Sequence, residues 1–357
     1  MSTTAVLGVT TPIGRAVLRR LSADDGVSRL LAVDATTPSM PPPRVEVRTM
    51  DPRDRLLALA LDGVDVLVHC AFTDDMSASP DSLYGANVGG TRNVLAAADA
   101  AGVGHVVVMS TAMAYGAHHD NPLPLDETCP LRANPGFAYG YQRQLVEEAV
   151  ADWADAHPSV TVTRLRLAPV LGGGVSGALV QRLTAPRLIV PSGLGAPWQL
   201  VDLDDVAAAV ARVVDQRIGG VLNVAADGWL SASEVAGYLG RPLVEVGQST
   251  LAEVLRRGTD LGISPAPAEV MPYLLHPWVV DTARLRGHGW QPTASNRDIL
   301  TTFAADHADD IAVGQLTVSR TDVRRAGLAV GGLAALGGWR LWRRGRRRTA
   351  RREARRG

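Results

Sequence analysis

Residues 3–8 (Thr-Thr-Ala-Val-Leu-Gly) form an apolar run too short for a helix, and a turn with glycine at each end, Gly8-Val9-Thr10-Thr11-Pro12-Ile13-Gly14, begins on its last residue. The run reads as a short buried strand, and the spacing after the turn predicts a helix from about Ile13 to Leu21. A second apolar strand, Leu30-Leu31-Ala32-Val33, ends on Asp34, 20 residues after Gly14. Strand, glycine turn, helix and second strand are the start of an α/β fold with a parallel sheet, because parallel strands need a crossover between them.

Glycines in such a turn let the backbone approach a pyrophosphate lying on the helix N-terminus. Gly8 and Gly14 are in place, and Thr11 stands where a middle glycine would. Thr11 crowds the approach, but its hydroxyl is expected to reach a phosphate oxygen. Pro12 removes one N–H donor, which a helix's first turn tolerates. An acid at Asp34 suits adenosine ribose hydroxyls and repels a 2′-phosphate, so NAD is expected over NADP, with Arg15 pulling weakly the other way. Taken alone, the loop also fits a plain strand-to-helix turn.

A chain of 357 residues can hold a large core in one domain or two lobes. Its 46% hydrophobic content and few aromatics fit a soluble α/β protein. All 36 basic residues are arginine, and lysine is absent. The two cysteines, Cys70 and Cys129, indicate neither a disulfide framework nor a metal cluster. His118-His119-Asp120 reads as a solvated loop rather than a metal site, and no signal peptide is visible, which makes the expected location cytoplasmic.

An ordered series of motifs continues from the first unit. Asp51-Pro52 follows a third strand, Val45-Glu46-Val47. Val64-Asp65-Val66-Leu67-Val68-His69-Cys70-Ala71 resembles a fourth strand, and Asn87-Val88-Gly89-Gly90-Thr91-Arg92-Asn93 resembles the start of a helix. Val106 to Gly116 is a fifth strand carrying Ser110-Thr111 and a Tyr-Gly pair, and Tyr139-Gly140-Tyr141-Gln142-Arg143 comes next. Leu165 to Gly172 resembles a sixth strand, and Pro197 to Ala207 a later strand and helix. Ser231-Ala232-Ser233-Glu234 is a capping box. Pro277 to Leu285 and Gly289 to Pro292 close the series.

Over roughly residues 3–305 this series resembles the extended or atypical short-chain dehydrogenases of the NAD-dependent epimerase/dehydratase type. The resemblance implies a Rossmann-type doubly wound parallel sheet with a smaller C-terminal substrate lobe and a basic C-terminal tail. The NAD-binding core would span 1–170 with 198–226 returning to it, the substrate lobe 171–197 and 227–318, and the tail 319–357. By resemblance, NAD would lie against Gly8, Thr11, Pro12, Ile13, Gly14, Asp34, Asp51, Pro52, Cys70, Ala71, Asn87, Tyr139 and Arg143. Thr111, Tyr139 and Arg143 would be catalytic.

The family's Tyr-x-x-x-Lys pair is here Tyr139-x-x-x-Arg143. A phenol titrates near pH ~10, and a fixed positive charge one helical turn away favours the phenolate. Arginine supplies that charge but cannot lose its proton, which argues against a proton relay through it. Arg143→Lys is expected to raise activity or leave it unchanged. Thr111 would hold the substrate oxygen beside Tyr139, with Ser110 one place out of register.

Nucleotide-sugar epimerases of this family usually carry an arginine just before the strand leading to the Asp205 position. This chain has Ala196-Pro197-Trp198-Gln199 there. If Trp198, Trp229 and Trp278 converge on the pocket, an apolar small-molecule substrate fits better than a sugar nucleotide.

Residues 321–357 hold twelve arginines against Asp322 and Glu353, a net charge of +10 that leaves −10 on the rest. The uncharged stretch 326–339 ahead of the arginine-rich end suggests an anchor at an anionic cytoplasmic membrane surface, with a disordered basic tail as the alternative. Nucleic acid is not favoured as a partner, since the apolar run has no role there. By resemblance, helices near residues 80–101 and 139–157 would pair two copies into a homodimer. The leading reading is an NAD-dependent oxidoreductase or epimerase. A catalytically impaired NAD-binding sensor or scaffold and a nucleotide-sugar epimerase/dehydratase stay open beside it.

Overall fold

The computed structural model describes residues 2–39, 41–43, 45–73, 75, 78–193, 195–261, 264, 266–313 and 316–319. The N-terminal part alternates strand and helix: β1 (Ser2–Leu7), α1 (Pro12–Ser22), β2 (Val27–Asp34), β3 (Val45–Thr49), α2 (Leu57–Ala60), β4 (Val66–His69), α3 (Pro80–Tyr84), α4 (Gly90–Ala100), β5 (His105–Thr111), α5 (Ala138–Ala156) and β6 (Thr161–Leu167). After β7 (Val170–Leu171), α6 (Ala178–Thr184), β8 (Leu188–Pro191) and β9 (Val201–Asp202), the chain returns through α7 (Leu203–Gln216) to β10 (Gly220–Val224).

Seven of these strands form one parallel sheet in the order β10-β6-β5-β4-β1-β2-β3. Successive strand residues face opposite sides, so each central strand feeds two cores. Val6, Val68, Val107 and Leu165 pack with α1 and α7 on one side, and Leu7, Leu67, Val106 and Val108 with α4 and α5 on the other. This is the doubly wound sheet expected. Strand order reverses between β1 and β4, and the crevice outside their C-terminal ends is where such sheets place a ligand.

The expected sixth strand is shorter than its sequence suggested. β6 ends at Leu167, and Val170–Leu171 leaves the sheet to pair with β9. Pro169 has no N–H to continue the ladder, while its carbonyl accepts from Val201 N at 3.0 Å. The expected helix near 80–101 is also divided. A π-helical turn at Gly85–Gly89 sits between α3 and α4.

A smaller lobe follows. It contains α8 (Ala232–Leu239), β11 (Leu243–Val246) paired with β8, α9 (Gln248–Asp260), α10 (Met271–Leu275), α11 (Ala283–Gly287), α12 (Asn296–Asp306) and the hairpin β12 (Asp310–Val313) and β13 (Leu316–Ser319). Its core joins Leu183, Val190, Val235, Leu239, Leu300 and Phe303. Ser231 and Glu234 form the predicted capping box at α8. Buried Asp205 on α7 ties the lobe down by accepting from Thr293 N, Thr293 Oγ1 and Ala294 N at 2.7–3.2 Å. The proposed membrane segment at 326–339 lies outside the described residues. Among those described, no helix is long and apolar enough to cross a membrane.

Candidate functional site

The glycine turn is closed from within. Gly8 has φ +82°, and a Cβ there would meet Ala71 backbone atoms at 2.5 Å. A Cβ on Gly14 would meet the Gly8 carbonyl oxygen at 2.1 Å. Both positions therefore need glycine to let β1, α1 and the end of β4 come together. Thr11 has partners inside the turn. Its hydroxyl donates to the Gly8 carbonyl at 2.7 Å and accepts from Gly14 N at 3.0 Å, so it is the N-cap of α1 and its proton is committed inside the turn. Pro12 brings no N–H, and the Ile13 N–H has no acceptor among the described residues.

Asp34 ends β2 beside this turn. Its Oδ2 accepts from both the backbone N–H and the hydroxyl of Thr10 at 2.8 Å, while Oδ1 has no partner among the described residues. Asp51, just past β3, gives both oxygens to Arg53 at 2.7–3.0 Å, and those bonds hold its carboxyl below the usual range. Pro52 contributes its carbonyl to Asn93 Nδ2 at 2.7 Å.

At the end of β4, Cys70 is buried and burial raises its thiol to about 12, which keeps it neutral and inert. Ala71 lies against Gly8. Asn87 is fully buried, and its amide clamps the Thr73 backbone, accepting from N at 3.0 Å and donating to O at 3.2 Å. That bond pair holds the loop carrying Phe72. His69 contacts Thr91 Oγ1 at 3.2 Å through Nε2 and packs on the Phe72 ring with centroids 4.3 Å apart. Burial and the Arg143 charge lower its pKa to about 3, so it is neutral.

α5 presents Tyr139, Arg143 and Glu147 as one buried stripe at i, i+4 and i+8. Arg143 is 5% exposed and donates to the Tyr139 hydroxyl at 3.5 Å. No carboxylate pairs with it among the described residues, and its Nε has no partner. Its guanidinium lies 4.2 Å from the Phe72 ring centroid and 5.1 Å from that of Tyr139. Glu147 turns elsewhere, taking Arg166 in a two-point pair at 2.7 Å and the Ser110 hydroxyl at 2.7 Å. Thr111 is held only by long bonds, donating to Leu167 O at 3.4 Å and accepting from Met113 N at 3.3 Å. Gly140 admits Tyr273, whose hydroxyl a Cβ would meet at 2.6 Å.

The three tryptophans do not converge. Trp198 packs on the lobe core, Trp278 packs between two other clusters and borders a narrow cavity with Ala112 and Gln199, and Trp229 is 41% exposed. Trp198 carries the Arg182 guanidinium 4.5 Å from its ring centroid. Burial lowers Arg182 to about 10, and it has no carboxylate partner among the described residues. In the His118 loop, Asp120 pairs with Arg132 at 3.0 Å, and the His118 ring meets the Arg132 carbonyl at 2.6 Å.

Phe72, His69, Thr10 and Glu147 escape a reading by motif. The aromatic directly after Cys70-Ala71 was the one local cue to Phe72. Among the described residues the candidate groups are a helix N-terminus with a free N–H, a carboxylate with a free oxygen, a phenol beside a buried cation that no carboxylate pairs, and a lightly held hydroxyl. That set can take a dinucleotide and move a proton at an oxygen.

Residues 4–225 match the family model described as the NAD dependent epimerase/dehydratase family. An uncharacterised protein of Mycobacterium tuberculosis is 29% identical over 301 residues, covering 80% of this chain and 79% of that protein. The N-acetyl-alpha-D-glucosaminyl-diphospho-ditrans,octacis-undecaprenol 4-epimerase of Escherichia coli O157:H7 is 32% identical over 211 residues, covering 57% of this chain and 58% of that enzyme. Among solved structures, a dTDP-glucose 4,6-dehydratase from Streptomyces venezuelae with NAD and TYD bound superposes with TM-score 0.68 at 22% identity, covering 86% of this chain and 97% of that one. The UDP-glucose 4-epimerase of Thermus thermophilus in complex with NAD superposes with TM-score 0.67 at 19% identity, covering 85% and 98%.

Proposed function

Because the chain belongs to the NAD dependent epimerase/dehydratase family, we propose that it is an NAD-dependent oxidoreductase or epimerase working at a carbinol or ketone carbon. The observation that carries this is the buried Arg143 guanidinium, unpaired by any carboxylate among the described residues, 3.5 Å from the Tyr139 hydroxyl. Burying a cation without a carboxylate costs free energy, and negative charge developing on the Tyr139 oxygen would offset part of that cost.

The residues present fit the cofactor. Ile13 N–H at the α1 N-terminus suits a phosphate oxygen, Asp34 Oδ1 suits a ribose hydroxyl, and Arg143 supplies a buried cation beside Tyr139. Gly8, Gly14 and Ala71 hold the turn closed around it, and Asn87 acts through the Thr73 loop. Bound NAD would supply the nicotinamide carbon that takes up and returns a hydride. Tyr139 takes the proton from the substrate hydroxyl, or returns it to the carbonyl oxygen. Arg143 stabilises the phenolate as a fixed charge and relays no proton. Thr111 donates to the same substrate oxygen and orients it.

We read the substrate as bearing both a charged and an apolar part, as a sugar joined through a diphosphate to a polyprenol does. Support comes from Arg182, which has no carboxylate partner among the described residues, from the exposed Trp229 and from the substrate class in the name of the Escherichia coli relative. The apolar and arginine-rich tail would bring the protein to the cytoplasmic face of the anionic membrane that carries such a lipid. Exposed Tyr84 and Tyr141 on α3 and α5 offer a face for a second copy.

The test has two stages on the full chain. NAD and NADP are titrated separately by calorimetry, then polyprenyl-diphosphate sugars and nucleotide sugars are supplied with NAD and the products separated. Tight NAD binding, weak NADP binding and conversion lost in Tyr139→Phe are expected. Turnover that survives Tyr139→Phe sinks the assignment. NAD binding with no conversion of any substrate favours the sensor reading.

A further inference from the structure

Arg143 is buried, charged and unpaired by a carboxylate among the described residues, and what packs on it instead is Phe72, 4.2 Å from its Cζ. Charge burial of this kind is costly, and an aromatic face is one of the few neutral groups that offsets it. Neutral His69 packs on Phe72 in turn, with rings 36° apart. The Phe72 backbone is anchored on both sides: its N–H donates to Cys70 O at 2.9 Å, and Asn87 holds Thr73. The ring therefore sits on a fixed loop while Arg143 sits on a helix, and the two meet face to cation.

Shape matters at this contact. A guanidinium is planar and stacks, whereas an ammonium is a compact, strongly hydrated point charge. We infer that Phe72 is a positioning residue that sets the plane of the Arg143 guanidinium, so that its Nη2 meets the Tyr139 hydroxyl and its charge is held at the Tyr139 side of the cofactor site. Phe72 thus makes arginine serviceable at a position where the sequence alone suggested lysine would do as well. The inference rests on the reading of Tyr139 and Arg143 given above.

A double-mutant cycle tests it on the full chain, with NAD affinity by calorimetry and urea unfolding as separate readouts. Phe72→Met keeps volume and removes the ring face. It should weaken NAD binding by about thirtyfold, the size of one desolvated cation–π contact. Arg143→Lys should weaken binding similarly, and Phe72→Met should add little in the Arg143→Lys background. Phe72→Tyr should restore most of the affinity. Equal losses in both backgrounds, or no loss from Phe72→Met, would overturn the inference while leaving the function standing. If the unmutated chain binds no NAD, the functional reading falls, and the unfolding cycle still decides the pair: coupling supports it, and additivity removes it.

Discussion

The Ser110 hydroxyl donates to the buried Glu147 carboxylate at 2.7 Å, and this bond separates the roles of two neighbouring hydroxyls at the end of β5. Ser110 points into the Glu147–Arg166 pair on one side of the strand. Thr111, one residue on, emerges on the other with only long contacts. Thr111→Ala should therefore lower turnover about 100-fold, the usual effect of losing a donor to a reacting oxygen. Ser110→Ala should leave turnover near normal and lower stability by about 1–3 kcal/mol. Steady-state kinetics and urea unfolding on both variants separate the cases, and the reverse pattern would move the catalytic hydroxyl to Ser110.

Removing the charge of Glu147 should be costlier. Glu147→Gln leaves Arg166 buried without its counter-charge and should destabilise the chain by about 3–5 kcal/mol. Replacing the pair together, Glu147→Met with Arg166→Met, should recover much of that loss, because two apolar groups leave no orphaned charge. Urea midpoints for the three proteins check this, and a double variant worse than the single one would refute it.

Asp34 sets the choice between the two nicotinamide dinucleotides. Asp34→Asn retains an oxygen for Thr10 and removes the negative charge, so discrimination against NADP should relax by about tenfold or more, repulsion between close charges being of the order of 1–4 kcal/mol. Paired titrations of NAD and NADP read the ratio directly, and an unchanged ratio would assign selectivity to another group.

Two buried histidines make stability depend on pH. Burial, joined by the charge of Arg143, lowers His69 to about 3, and burial, joined by that of Arg217, lowers His105 to about 4. Unfolded histidine titrates near ~6.5, so below that pH the unfolded chain binds protons that the folded chain refuses. Stability is full above about pH 6.5 and falls by up to about 1.4 kcal/mol per pH unit and per histidine as pH drops toward the folded values. Urea unfolding at several pH values between 7 and 5 should show this slope, and His69→Asn with His105→Asn should flatten it. A slope unchanged in the double variant would place the proton uptake elsewhere.

The parallel sheet, the glycine turn, the acid after β2, the Ser231 cap and the Tyr139–Arg143 stripe were all legible in the sequence. Each depends on residues close together in the chain, where strand alternation, helical spacing and the need for a missing Cβ act locally. What each side chain does with its polar atoms was not legible. The sequence does not show that the Thr11 hydroxyl also bonds the Gly8 carbonyl, or that the Asn87 amide also holds the Thr73 backbone. The three tryptophans read as one surface until the packing puts Trp198 and Trp278 in different clusters and leaves Trp229 exposed. Arg143 stands one turn from Tyr139 by sequence, but its burial without a carboxylate and its stacking on Phe72 follow from how the β4 loop meets α5. Local spacing decides which residues share a face. Only the packing of distant elements decides which hydrogen-bond partners and charges are already used, and so which groups remain free for a ligand.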